Sequence, residues 1–471
     1  MAVPTGRLHD TPPLPSPASP AAFVPLISAS LEATYHDVPV PPPEGMELFE
    51  LAVSGPVGER VNLAFFADGY TLTERDKFVE DARKLTDDIV RTGPMVHVAD
   101  LVNVFGVFVP SEKSGLGQDK PLAGSPFGLF RSGSELRGVY VAFQDTARAA
   151  CKYWNEAEKG GCDQAILLGN DGLYGGLGGE FTVITASPLN GPLVLRHELG
   201  HSLIPVGEEY EGGTWGVENL DQLKWAHHLS EPNKLRVESV HVPLQAYPWH
   251  NLDEGRWSAT FTASNVTGKK GTTGMLRTSL SSIPYPSHVR ITLQGKDLDL
   301  KSAFPPAPWK GSFDRRWLEV ALPHGLAEDI PFTIVVELTK EGRKAKAGQG
   351  GKMVTSVEII EYGKNCNVEP GFIGAFPTYS ETGSVTLRPT NEGCLMRNVN
   401  YPNFCLDVPI QKRLVEIVKR SRGAKLDSPR NMIGTYVPDM LVVLRIDSKP
   451  PQFPHILVSL VGELKVTPIT Y

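Results

Sequence analysis

Residues 192 to 212 read Pro192-Leu-Val-Leu-Arg-His197-Glu198-Leu-Gly-His201-Ser-Leu-Ile-Pro-Val-Gly-Glu208-Glu209-Tyr210-Glu-Gly212, and the fold turns on them. Pro192 has the φ that a first helical turn needs, and Leu193, Val194 and Leu199 give such a helix an apolar side to bury. A helix here places His197 and His201 one turn apart on one face, close enough to share a cation. Two neutral imidazoles suit zinc, and the Glu198 carboxylate beside them is placed to take a proton from water activated by that metal. A short pattern of this kind also arises by chance in a long chain, so its surroundings matter.

Catalytic zinc takes a third protein ligand and leaves one position for water. The nearest acids downstream are Glu208 and Glu209. Pro205 and Gly207 lie between them and the histidines, so the helix is expected to stop and the chain to turn back. Either acid is then within reach of the metal.

His197-Glu198-Leu199-Gly200-His201-Ser202, a short turn and then Glu208-Glu209-Tyr210 resemble the active-site signature of the IgA-specific metallopeptidase family of zincins. Members usually read Asp-Glu-Tyr where this chain has Glu208-Glu209-Tyr210, and Gly where Ile204 stands. The family varies less at the second acid, so the resemblance implies Glu209 as the third ligand, with Glu208 as the alternative. Asp68-Gly69-Tyr70, Asn103-Val104-Phe105 and the Gly-rich run from Tyr174 to Gly179 are similar to the family's N-terminal half. Arg388-Pro389, Cys394-Leu395-Met396 and Phe404-Cys405 are similar to its C-terminal half. In metzincin-like zincins a Met fills the floor beneath the metal, which implies that role for Met396.

Composition sets the outer limits. The chain has 471 residues, 41% of them hydrophobic, enough for a real core and for more than one domain. Its 46 Gly and 40 Pro point to a loop-rich, strand-rich protein. A net charge of −7 leaves no electrostatic footprint for nucleic acid, and no apolar run is long enough to span a membrane. Cys151 with Cys162, and Cys394 with Cys405, are spaced to close short loops in an oxidising compartment, leaving Cys366 over. Five reduced thiols fit the sequence equally.

Along the chain, residues 1–43 read as a disordered Pro- and Ala-rich arm without a signal pattern. Residues 44–255 read as the first part of a zincin-like catalytic domain of α/β (α+β) class. Within it, strands are expected over 48–66, 101–109, 163–169 and 181–186, and a helix after the capping-box spacing Thr71 to Glu74. The last of these strands is expected to line the cleft, with glycines ahead of it letting a peptide backbone approach. Residues 256–362 alternate with period two and read as an inserted all-β, sandwich-like module carrying a sequon at Asn265. The catalytic pattern resumes over 363–425, and 426–471 reads as further strands or a tail.

These expectations combine into a zinc endopeptidase acting on protein or peptide. His197, His201 and Glu209 hold the metal, Glu198 is the general base, and Tyr210 is a candidate donor to the developing oxyanion. The resemblance implies an extracellular setting, against a cytoplasmic alternative. Rival readings are a zinc hydrolase of small amides and an inactive zincin-fold protein whose β module binds a protein or glycan. Oligomeric state is not legible.

Overall fold

A computed structural model describes residues 40–92, 96–156, 161–203, 207–210, 217–263, 273–322, 326, 330–369, 371–379 and 384–398. Most of the expected arm, the Asn265 sequon, Phe404-Cys405 and everything from residue 399 onward lie outside the described residues. The apolar run from Val61 to Phe66 forms the middle of a six-stranded sheet. Its first strands are β1 (Glu47–Ala52), β2 (Val61–Asp68) and β3 (Val102–Phe108). A small sheet of β4 (Gly117–Gln118), β5 (Leu129–Arg131) and β6 (Tyr140–Val141) follows, before β7 (Gln164–Gly169), β8 (Gly176–Leu177) and β9 (Thr182–Thr185) complete the large one. The strand expected over 48–66 is therefore two strands joined by a turn.

The spatial order β1-β3-β2-β7-β9-β8 leaves β2, β3, β7 and β9 parallel, with β1 and β8 antiparallel at the edges. Every residue of those four parallel strands is buried, as expected where helices cover both faces. On one face Ala64, Phe66, Ala165 and Leu167 pack with Ala147, Ala150 and Trp154 of α2 (Gln144–Glu156). On the other, Phe78 of α1 (Arg75–Asp87) lies over Gly106. The Thr71–Glu74 capping box forms as its spacing predicts. Cys151 and Cys162 form a disulfide that ties α2 to the chain entering β7.

Downstream the sheets are antiparallel. They comprise β10 (Val240–Ala246), β11 (His250–Asn251), β12 (Trp257–Thr262), β13 (Thr273–Ser281), β14 (Val289–Leu293), β15 (Lys296–Asp297), β16 (Arg316–Leu322), β17 (Pro331–Leu338) and β18 (Met353–Tyr362). One sheet runs β10-β18-β13-β16 with β11 also on β18, and the other runs β12-β17-β14-β15. Leu276, Leu318 and Ile359 from the first share a core with Phe261, Ile291 and Ile334 from the second. Both β10 and β11 precede residue 256 yet pair with β18. The boundary expected between 255 and 256 thus falls inside a sheet. A hairpin of β19 (Phe376–Tyr379) and β20 (Val385–Arg388) follows. Among the described residues, no helix is long and apolar enough to cross a membrane.

Candidate metal centre

The histidine helix is α3 (Gly191–Leu203). It lies so tightly on the large sheet that a Cβ at Gly191 would stand 3.0 Å from the Thr185 carbonyl. The Thr182 hydroxyl donates to Ser202 Oγ at 2.8 Å, and Ser202 Oγ donates to the Glu198 carbonyl at 3.0 Å. Arg196 is buried in an ion pair with Asp88. Val194, Leu195, Leu199 and Leu203 are buried, which leaves His197 and His201 on the side facing the chain that returns.

That chain brings Glu208. His201 Nε2 lies 2.9 Å from Glu208 Oε1, His197 Nε2 lies 3.3 Å from Glu208 Oε2, and the two Nε2 atoms are 3.2 Å apart. Among the described residues this is the one group of three whose ligand atoms converge closely enough for a metal ion. His197 Nδ1 donates to the Leu395 carbonyl at 3.2 Å. In the neutral ring this fixes the tautomer and aims a bare Nε2 lone pair at His201 and Glu208.

Three features fit a divalent cation. Ligand atoms on tetrahedral zinc at about 2.0–2.1 Å stand about 3.3 Å apart, which the nitrogen and oxygen separations match. Glu208 Oε2 is buried with no hydrogen-bond partner, a cost that a cation would remove. Electrostatics agree. Burial pushes His197 down, but the Glu208 and Glu198 carboxylates outweigh it and lift the ring to about 9. Burial pushes Glu208 up, but His197 and His201 outweigh it and hold the carboxyl at about 2. A field that favours a proton at this spot favours a metal ion there too.

Glu209 is not in this group. Its side chain is fully buried, accepts from Thr390 Oγ1 at 2.8 Å, and its N–H donates to the Met396 carbonyl at 3.1 Å. Of the two acids, the alternative one, Glu208, converges with the histidines, for a local reason. Adjacent extended residues point to opposite sides, and the pairing with Met396 turns Glu209 inward and Glu208 toward the histidines. Met396 itself is 1% exposed, in a turn closed by Arg397 and Asn398 N–H groups on the Cys394 carbonyl. The same turn supplies the carbonyl that orients His197.

Glu198 is half-buried, and the Gly178 N–H donates to its carboxylate. Burial raises its pKa above the ordinary value against the pull of both histidines. The glycine-rich rim is packed on it. A Cβ at Gly178 would meet Glu198 Oε2 at 2.9 Å and His201 Cβ at 2.9 Å, and one at Gly176 would meet Val194 at 2.4 Å. Gly176 and Leu177 fold back antiparallel onto β9 as β8, so β8 forms the sheet's edge where the sequence placed β9. Tyr210 is 37% exposed. Burial and the adjoining Glu208 carboxylate hold its phenol above the ordinary value, so the hydroxyl stays protonated.

Sequence reading missed the Leu395 carbonyl, the Gly178 N–H and Asp314. Asp314 accepts from the Tyr174 N–H at 2.6 Å and from Ser187 Oγ at 2.7 Å, which ties the start of β16 to the loop ahead of α3. Main-chain groups carry no side-chain signal, and Asp314 is far away in sequence. Residues 49–260 match the model of the family described as IgA Peptidase M64, the family whose signature His197 to Tyr210 resembles. No curated protein matches the chain.

Proposed function

From the family match over residues 49–260, we propose that this chain is a zinc-dependent endopeptidase of zincin type, with His197, His201 and Glu208 as protein ligands and Glu198 as general base. The observation that carries the reading is the convergence of two imidazole nitrogens and a carboxylate, with a second carboxylate alongside. Imidazole and carboxylate are ligands that zinc prefers. When bound there, zinc polarises water and the scissile carbonyl.

The chain's own groups do the rest. Glu198, oriented by the Gly178 N–H and made more basic by burial, takes the proton of the attacking water and returns it to the leaving amine. The Tyr210 hydroxyl is the donor for the developing oxyanion. The Leu395 carbonyl holds the His197 ring, and Met396 lies in the floor of the site. The open edge at β8 receives the substrate backbone as an added strand. The six-stranded sheet with α3, together with the segment around Met396, makes up the catalytic part. The antiparallel sheets form a module docked on it through Asp314. The Cys151–Cys162 disulfide suits an oxidising, extracellular setting.

Digestion of a protein panel by zinc-loaded wild type, by Glu198→Gln and by chelator-treated enzyme tests the reading. Wild type should cleave, and chelator should stop it. Glu198→Gln should keep its zinc but lose a factor on the order of a hundred or more. Equal rates for wild type and Glu198→Gln, or cleavage by neither, would make the zincin fold a binding protein instead.

A further inference from the structure

Arg315 stands half-buried immediately before β16, outside the family-matched segment. Three aromatic rings surround its guanidinium. Their centroids lie 4.9 Å away at Tyr174, 4.8 Å at Trp249 and 4.6 Å at Trp317. Tyr174 and Trp317 also meet edge-on at 5.5 Å. All three rings are half-buried rather than sealed. Trp249 takes a φ of 42°, in the left-handed region that disfavours a bulky residue. Its ring faces a second guanidinium as well, Arg137 at 5.1 Å.

Three other buried arginines are neutralised, whereas Arg316 donates to the Trp309 and Ser312 carbonyls instead. Arg131 pairs with Asp171, Arg196 with Asp88 and Arg277 with Glu319. Arg315 donates from Nε to Ser279 Oγ at 2.8 Å and from Nη1 to the Leu136 carbonyl at 3.4 Å. Among the described residues, no carboxylate comes within ion-pair distance of it, and Nη2 has no partner. A guanidinium taken out of water without an ion-pair partner is costly. Burial lowers the Arg315 pKa and the charge of Arg137 adds to the effect, against the opposing charge of the neighbouring Asp314.

The cage adjoins the catalytic groups. Tyr174 lies two residues before Gly176, whose Cβ would stand 3.3 Å from Glu198 Cγ. The Tyr174 phenol feels the charges of Arg315, Glu198 and Glu208, while Tyr247 couples to Arg315 on one side and to Tyr210 on the other. Arg315 is thus linked to Glu198 through Tyr174, whose ring it faces at 4.9 Å, and the short segment to Gly176. Two residues of extended chain span at most about 7 Å, so a peptide at Glu198 reaches the cage within a few residues.

We propose that Arg315, framed by Tyr174, Trp249 and Trp317, is a carboxylate-binding subsite that selects peptides carrying an acidic side chain or a free C-terminal carboxylate a few residues from the scissile bond. The proposal rests on the peptidase reading. With Nε and one Nη1 donor engaged, the terminal Nη1–Nη2 edge of the guanidinium keeps donors to offer, and that planar fork matches a carboxylate. Exclusion of water by the rings strengthens the pairing.

The test uses full-length, zinc-loaded protein and matched quenched peptides. One arm places Glu or Gln at each position within four residues of the cleaved bond, and another compares a free with an amidated C-terminus. Wild type should favour the carboxylate form about 10- to 100-fold in kcat/KM in one of the arms, which identifies the source of the carboxylate. Arg315→Met should bring carboxylate peptides down to the rate of their neutral partners. Arg315→Lys, which keeps charge but loses the fork, should retain only part of the preference and stands in if the Met variant does not fold.

Cleavage without carboxylate preference in either arm, or a preference that survives Arg315→Met, overturns the subsite and leaves the peptidase reading standing. If no peptide is cleaved, that reading fails, and calorimetric binding of the same peptides decides. Binding of the carboxylate form that depends on Arg315 upholds the subsite. Equal binding of both forms, or none, overturns it.

Discussion

The six-stranded sheet and the antiparallel pair downstream follow different rules. In the first, β2, β3 and β7 are buried along their whole length, and their sequences are largely apolar, broken only by buried polar residues such as Asn62, Asn103 and Gln164. In the second, β16 alternates between buried and more exposed positions, and β12 keeps one wet face. The first carries α3 and with it His197, Glu198 and His201. The second delivers Arg315 with the aromatic rings Trp249 and Trp317 around it. The proposed chemistry thus sits on a layer covered on both faces, while the groups proposed to read the substrate come from the layer with an open face.

The harshest way to break this comparison is to remove the second region. Deleting residues 256–362 takes away β18, the partner of β10 and β11, along with Asp314. The expected result is loss of zinc binding and cooperative unfolding, read by metal content and calorimetry. A soluble deletion that binds zinc would show the two regions to be independent. Next in size is His201→Ala, which should reduce zinc from about one per chain to near none at micromolar metal; retained zinc would remove His201 from the ligand set.

Gly178→Ala is expected to keep the metal and lose rate. The new methyl would stand 2.9 Å from Glu198 Oε2, so the base must move, and a displacement near 1 Å costs on the order of a hundredfold. Unchanged kcat would show that Glu198 is not held by the glycine rim. The smallest change is Asp314→Asn, which weakens the ties to Ser187 and Tyr174 without altering size. A stability loss of about 1–2 kcal/mol, with kcat/KM lowered a fewfold, would sharpen the view that the two regions share one site. An effect on stability alone would confine Asp314 to structure.

The residues that were legible in sequence are those whose partners are local. His197 and His201 are spaced by helix geometry, Thr71 and Glu74 by the capping box, and Val61 to Phe66 by an apolar run. The third acid was not legible, because Glu208 and Glu209 are adjacent and only the pairing of Glu209 with Met396, far along the chain, sets which one faces the histidines. The sheet that spans residue 255 was hidden for a similar reason. Strand β10 has a weak pattern of its own and is defined by β18. The edge strand β8 is two residues long, too short for any periodicity. Arg315 gave no signal either, since its cage draws on rings from three separate segments.

The central claim is that Glu208 completes a zinc site and Glu209 supports it from behind. A zinc titration of wild type, Glu208→Ala and Glu209→Ala, with thermal unfolding of each apo-protein, tests it most directly. The account predicts one zinc in wild type and a loss of affinity on the order of a hundredfold or more in Glu208→Ala. For Glu209→Ala it predicts near-normal zinc binding but about 1–3 kcal/mol less stability, because Thr390 loses its buried acceptor. Zinc lost from Glu209→Ala and kept by Glu208→Ala, or no zinc bound by wild type, would contradict it.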